Sequence, residues 1–200
     1  MGRLRNHCNN NYGGTGVLMG RIIAIVTAVM ITVISCATFS FAEEAAPSPD
    51  LIWGTVTQIY DGDTIAIKND HGKTVRVQLA YIDAPDKDYQ TGAVQPFHEE
   101  SNKTLAKLIK GKEVIIESFG VDKFDRVKGM VFLDKLNVNL EMVLKGMAEV
   151  YYPVRANPGK YKKDYVDKFL KAEDLAKKEK SGVWSDPNYI SPYQFRRRGN

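Results

Sequence analysis

The chain has 200 residues, with 28 Lys+Arg against 24 Asp+Glu and a formal net charge of +4. That length suffices for one domain with a full core and one additional segment. Both cysteines, Cys8 and Cys36, fall in the first 42 residues, so the rest of the chain has no disulfide framework, and the lack of a His or Cys cluster argues against zinc.

After Arg21 no charge occurs from Ile22 to Ala42, and the run ends in "SFA" before Glu43 and Glu44. A basic start, an apolar stretch and small residues before an acidic, proline-containing segment predict a signal peptide over residues 1–42, cleaved after Ala42. Met19 is an alternative start to Met1, since "MGRIIAIV" has the form of a signal. Two other readings stay open: an uncleaved anchor, because about 20 apolar residues span a bilayer, and a lipoprotein, because "VISC" at Cys36 resembles a loose lipobox. All three place the protein outside the cytoplasm, periplasmic or secreted if cleaved. Cleavage removes three arginines and no acid, leaving +1. Residues 155–200 then hold 12 Lys+Arg against 6 Asp+Glu, and residues 43–154 hold 13 against 18. An acidic body with a basic C-terminal part suits a cation in one place and a polyanion over another.

Residues 43–52 are expected to be a flexible linker, 53–186 the domain, and 187–200 a basic tail. "IWGTVTQIY" and "DTIAIKN" flank the turn "DGD", and "HGK" leads into "TVRVQLAYI", where Val77 to Ile82 reads as a buried strand. A proline-containing loop follows from Asp83 to Pro96. Pro96 opens a helix to Ile109 with Phe97, Leu105, Leu108 and Ile109 as its apolar stripe, and Gly111 ends it. "EVIIESFG" and "VKGMVFLD" are two further strands. "NLEMVLKG" is a short helix with Asn139 as N-cap and Gly146 past its end. The last helix runs from Lys160 to Glu179, with Tyr161, Tyr165, Phe169 and Ala176 on one face. Five strands and three helices, one inserted after the third strand, predict an α+β fold: a closed five-stranded Greek-key β-barrel of the OB type.

Asp61, Asp63, Asp83 and Asp86 form two clusters, "DGD" and "DAPD", each at a junction of strand and turn. Asp and Gly are turn formers in their own right, but carboxylates so placed also suit a hard cation such as calcium, which takes carboxylate and carbonyl oxygens with water completing the shell.

"YDGDT", "VQLAYIDAPD", "DKFDR", "NLEMVLKGMA" and "KKEKSGVWSDPN" together resemble the staphylococcal nuclease family, in its order and spacing, over residues 53 to 195. The ending "SPYQFRRR" is similar to the tail of exported bacterial members. The resemblance implies an OB barrel with three helices and calcium-dependent hydrolysis of DNA and RNA to 3′-phosphate products. It implies Asp63, Asp83 and the Ala84 carbonyl as metal ligands, Asp86 as the group that positions or deprotonates the attacking water, and Arg126 as the guanidinium on the phosphate and leaving group. Lys123, Phe124 and Tyr152 match positions that contact the nucleotide's phosphate and base.

The chain departs from the family pattern at Gln78, where an arginine is usual, at Asp86, where a glutamate is usual, and at Asp125, where a glycine is usual. Losing one cationic donor costs about 10²–10³ in rate. Arg76 shares a strand face with Gln78, about 7 Å away, and could lean towards the missing charge or remain a surface residue. Two functions stay open: a secreted calcium-dependent nuclease of reduced activity, and a non-catalytic OB module binding nucleic acid or calcium. Single-stranded ends, a monomer and no stable protein partner are expected.

Overall fold

The structure is a computed structural model and describes residues 50–198. The signal peptide, its cleavage point, Met19, Cys36 and residues 43–49 of the linker lie outside the described residues. Among the described residues no helix is long and apolar enough to cross a membrane.

Five long strands close into a mixed barrel. They are β1 (Leu51–Asp61), β2 (Thr64–Asn69), β3 (Thr74–Leu79), β5 (Glu113–Val121) and β6 (Val127–Leu133). The order β3-β2-β1-β5-β6 is antiparallel throughout, and a parallel pairing of β3 with β6, Val77 opposite Val127 and Gln78 opposite Lys128, completes the closure. The alternating side chains Val56, Ile65, Ile67, Val77, Leu79, Ile116 and Met130 point inward and are almost wholly buried. A closed barrel leaves no free edge among these strands. Leu51 and Ile52, expected in the linker, belong to β1, because they pair with Glu117 and Ile116.

The strand expected to run through Ile82 stops at Leu79. Tyr81 takes a left-handed conformation (φ 70°), and Ile82–Asp83 becomes a separate short strand, β4, paired with β8 (Glu149–Val150). A bulky residue with φ > 0 is costly, on the order of 1–3 kcal/mol. The Tyr81 ring offsets this by packing among Phe119, Tyr161, Tyr165 and Phe169, with centroids 5.5–5.8 Å away, and its hydroxyl accepts a bond from Lys162 N at 3.1 Å. The break turns the chain so that Asp83 leaves the barrel wall.

Helix α1 (His98–Ile109) starts two residues after Pro96, since Phe97 before it is left-handed (φ 67°). Its inner face is His98, Ser101, Leu105 and Ile109, so Phe97 lies ahead of the stripe. It crosses the "DGD" turn closely. A Cβ on Gly62 would stand 1.9 Å from Ser101 Oγ and 2.8 Å from Ala84 Cβ, so only glycine permits this approach.

A two-residue strand, β7 (Leu136–Asn137), leads into α2 (Val138–Leu144), capped by Asn137 and not by Asn139 as expected. Asn137 Oδ1 accepts from Leu140 N at 2.9 Å, whereas Asn139 is fully buried. Its amide takes Val131 N at 2.9 Å and donates to Ala80 O at 2.8 Å and Gly129 O at 3.0 Å. Asn139 thus satisfies backbone groups freed where β3 ends beside β6. Gly146 has φ 64° and its absent Cβ would lie 2.1 Å from Ser181 O.

Past β8 come α3 (Tyr152–Ala156), a 3-10 turn (Pro158–Lys160), α4 (Lys163–Lys178), a second 3-10 turn (Gly182–Ser185) and α5 (Pro192–Arg198). Tyr161 precedes α4, which therefore begins three residues later than expected, and Phe169 and Ala176 carry its buried face. Residues 187–198, expected as a basic tail, fold back on the loop that carries the acids: Gln95 Nε2 donates to Ile190 O at 2.6 Å, and α5 follows. Among the described residues five α-helices stand where three were expected, because α3 and α5 are too short to leave a period in the sequence.

The two asparagines separate in stability. Asn139→Ala takes the side-chain partner from buried Val131 N and Ala80 O, while Gly129 O keeps its bond from Ala80 N, and should cost about 3 kcal/mol, against about 1 kcal/mol for Asn137→Ala, the loss of a cap. Urea denaturation of both variants checks this; equal costs would contradict the assignment.

Candidate active site

The β1–β2 turn brings Asp61 and Asp63, β3 brings Gln78, β4 and the loop after it bring Asp83, Ala84 and Asp86, and the β5–β6 turn brings Arg126. With Thr64, Pro85 and Arg196 they line one polar cavity of about 130 Å³. Asp63 and Asp83 are 8% and 5% exposed, so Asp83, although at a strand end, is buried.

The loop carrying the acids is held at several points. Ala84 N donates to Asp63 Oδ2 at 3.1 Å, which fastens the two clusters together. Asp63 N donates to Asp61 Oδ1 at 3.1 Å. The Thr64 hydroxyl lies 3.1 Å from Asp63 Oδ1 and 3.0 Å from Gln78 Oε1. His98 Nδ1 is 2.8 Å from Pro85 O; a carbonyl only accepts, so that nitrogen carries the proton. Gln95, also buried, accepts from Asp86 N at 3.0 Å. None of Thr64, Gln95 and His98 was singled out in the sequence, where each is an ordinary polar residue and only its burial marks it.

Electrostatics follow from burial. Desolvation pushes Asp63 well above the usual carboxylate range, and the neighbouring Asp61 carboxylate adds to the rise. Burial raises Asp83 to about 6, opposed by hydrogen bonds from Arg196 and reinforced by the charges of Asp63 and Asp86. Two buried carboxylates that repel each other gain when a cation comes between them. Among the described residues no group of three or more His, Cys, Asp or Glu is assembled as a metal cage. Two carboxylates and a carbonyl at Ala84, with water for the rest, nevertheless fit a hard divalent ion.

Arg126 is fixed by Asp122, whose Oδ2 accepts from Nε at 2.9 Å and from Nη2 at 2.8 Å. Asp125, where glycine is usual, holds the required left-handed conformation (φ 58°); aspartate tolerates it, and Arg126 still lines the cavity. Lys123 and Phe124 sit on the same turn and border a larger groove of about 630 Å³, which shares Gln78 and Asp83 with the small cavity and includes Lys128, Tyr151, Lys160 and Lys162.

Two expected substrate residues lie elsewhere. Arg76 is exposed, with its guanidinium 4.9 Å above the Tyr60 ring; this cation–π contact holds it on the surface, and it does not line the acidic cavity. Tyr152 stacks on Tyr193 of α5 at 4.5 Å and 13°, so one ring face is covered by the chain itself. Arg196, read in the sequence only as part of a basic tail, is inside the cavity.

Comparison with known proteins accords with this geometry. The family model described as staphylococcal nuclease homologue matches residues 76–186. The chain belongs to the staphylococcal nuclease family. It is 37% identical over 143 residues to an "Uncharacterized endonuclease" of Haemophilus influenzae, covering 72% of each chain. It is 36% identical over 148 residues to an "Uncharacterized endonuclease" of Escherichia coli, covering 74% of this chain and 86% of the relative. A "Micrococcal nuclease" of Shigella flexneri is 32% identical over 157 residues, 72% of this chain and 80% of that one. The protein is therefore a nuclease, a hydrolase of a family that is generally metal-dependent, and the OB binding module without catalysis gives way to the enzyme.

Behind Asp83 the nuclease buries a second titrating group. Glu149, the cross-strand partner of Asp83, is raised from 4.5 to about 8, first by burial and then by the charges of Asp83 and Glu173, with Arg155 at 3.6 Å opposing. Arg155 is mainly engaged elsewhere, by Glu173 and by Val150 O at 2.6 Å. A carboxyl whose folded pKa is raised favours the native state while protonated, so stability should fall as pH rises from 4.5 to about 8. Thermal unfolding in EDTA should show this slope, and Glu149→Gln should flatten it; an unchanged slope contradicts a protonated Glu149.

Proposed function

We propose that this nuclease hydrolyses phosphodiester bonds of DNA and RNA by calcium-dependent attack of water, acts best on single-stranded ends, works as a monomer, and is exported. The observation that carries the reading is the convergence of Asp63, Asp83, Asp86 and Arg126 on one small cavity that opens beside a basic, aromatic groove.

Asp63, Asp83 and the Ala84 carbonyl would hold calcium, which when bound supplies charge stabilisation for the phosphate oxygens. Asp86 orients the attacking water and accepts its proton. It is one methylene shorter than the usual glutamate, yet its loop is fixed by Gln95. Arg126, held by Asp122, offers its planar donors to the phosphate and the leaving oxygen, where negative charge grows in the transition state. Gln78 contributes a neutral amide and no charge. Lys123, Lys128 and Lys160 attract the polyanion without reading its sequence, and the exposed Phe124 ring offers a face for an unpaired base, about 1–3 kcal/mol by stacking. Single strands enter more readily than duplexes because stacking needs a splayed base. The uncharged run from Ile22 to Ala42 supports export.

On single-stranded DNA, calcium should support turnover and EDTA should abolish it. Asp83→Asn keeps the volume of a buried residue and should lower kcat by about 10³ or more while circular dichroism stays native. Turnover in EDTA equal to that in calcium, or an unimpaired Asp83→Asn enzyme, would contradict the mechanism.

A further inference from the structure

Arg196, 113 residues along the chain from Asp83, meets the acids of the cavity. Its Nη1 donates to Asp83 Oδ1 at 3.0 Å and to Asp86 Oδ2 at 3.1 Å, and its Nη2 donates to Asp83 Oδ2 at 2.7 Å. This placement is built into the fold. Pro192 is buried at the start of α5. Tyr193 stacks on Tyr152. Gln95 joins the segment to the catalytic loop, accepting from Asp86 N and donating to Ile190 O. A solvated tail needs none of these contacts.

The cavity contains four carboxylates, from Asp61, Asp63, Asp83 and Asp86, and two guanidinium groups, from Arg126 and Arg196. One guanidinium, Arg126, is already paired with Asp122. Strand β3 supplies no cation to the cavity, since Arg76 does not line it and Gln78 is neutral, its oxygen facing the Thr64 hydroxyl. A phosphodiester is an anion and cannot settle among carboxylates unless cations outweigh them. The side chain of Arg196 is 41% exposed, so it meets the acids on one side and the solvent from which substrate arrives on the other.

We propose that Arg196 is the second phosphate-binding guanidinium of this active site, delivered by the C-terminal helix in place of a cation on β3. The inference rests on the nuclease reading given above. With the charge of Asp83 taken up by a bound divalent ion, the Arg196 donors now spent on that carboxylate would be free for a non-bridging phosphate oxygen, and the Asp86 contact would keep the guanidinium in the cavity. The planar fork suits two oxygens of one phosphate, which the point charge of a lysine does not.

The test compares wild type, Arg196→Ala, Arg196→Lys and the double variant Gln78→Arg/Arg196→Ala in calcium. Steady-state hydrolysis of single-stranded DNA is one readout, and calorimetric affinity for thymidine 5′-monophosphate, which has no diester to cleave, is the other. Arg196→Ala should lower kcat by about 10²-fold and weaken the monophosphate at least tenfold. Arg196→Lys should recover part of both, and Gln78→Arg should restore at least tenfold of the rate lost in Arg196→Ala. Unchanged values for Arg196→Ala overturn the proposal. So does a faster or more tightly binding Arg196→Ala, which would make the arginine a plug competing for Asp83. A wild type that cleaves nothing overturns the proposed function instead, and the monophosphate affinities still decide the role of Arg196.

Discussion

Asp63 and Asp83 are two acids withdrawn from water into the same small cavity, and most of the local structure exists to hold them there. Their mutual repulsion and desolvation oppose folding of the cation-free chain. The scaffold answers with backbone constraints that have few alternatives. Gly62 lets α1 press against the "DGD" turn, Tyr81 takes a left-handed turn that frees Asp83 from the barrel wall, and Ala84 N ties the two clusters through Asp63. Carboxylates held in this way favour a cation, because binding one relieves the repulsion between them and stabilises the native state.

The distribution of charge extends the same logic outward. Carboxylates collect at the cavity floor, while Lys123, Lys128, Lys160 and Lys162 line the adjoining groove. A polyanion is drawn along the groove, and only a phosphate matched by cations enters the cavity. The C-terminal helix then belongs to the catalytic domain, since it covers one face of Tyr152 and places a guanidinium on Asp83 and Asp86.

The barrel was legible because alternation and turn signals are local properties of a sequence, and the two aspartate clusters were legible because acids at strand ends stand out from the apolar runs before them. What escaped depends on distant partners. Asn139, the expected cap, has the same side chain as Asn137, and only the neighbouring ends of β3 and β6 make it a buried strut. The stop at Leu79 follows from the aromatic cluster that accepts the Tyr81 ring, and no residue near Tyr81 announces it. Arg76 shared a strand face with Gln78, but the ring of Tyr60 captures it first. Arg196 lies 113 residues from Asp83, so its part in the site becomes visible only when the chain is folded.

The most direct measurement is the calcium dependence of thermal stability for wild type and Asp63→Asn. Ligand at 100 times its dissociation constant adds about 2.7 kcal/mol, or several degrees in Tm for a domain of this size. Wild type should gain that increment, and Asp63→Asn should lose it while melting in EDTA at or above the wild-type temperature, because an amide replaces a carboxyl that is costly to ionise there. A calcium-dependent rise that survives Asp63→Asn, or a wild type that calcium leaves unchanged, would contradict the account.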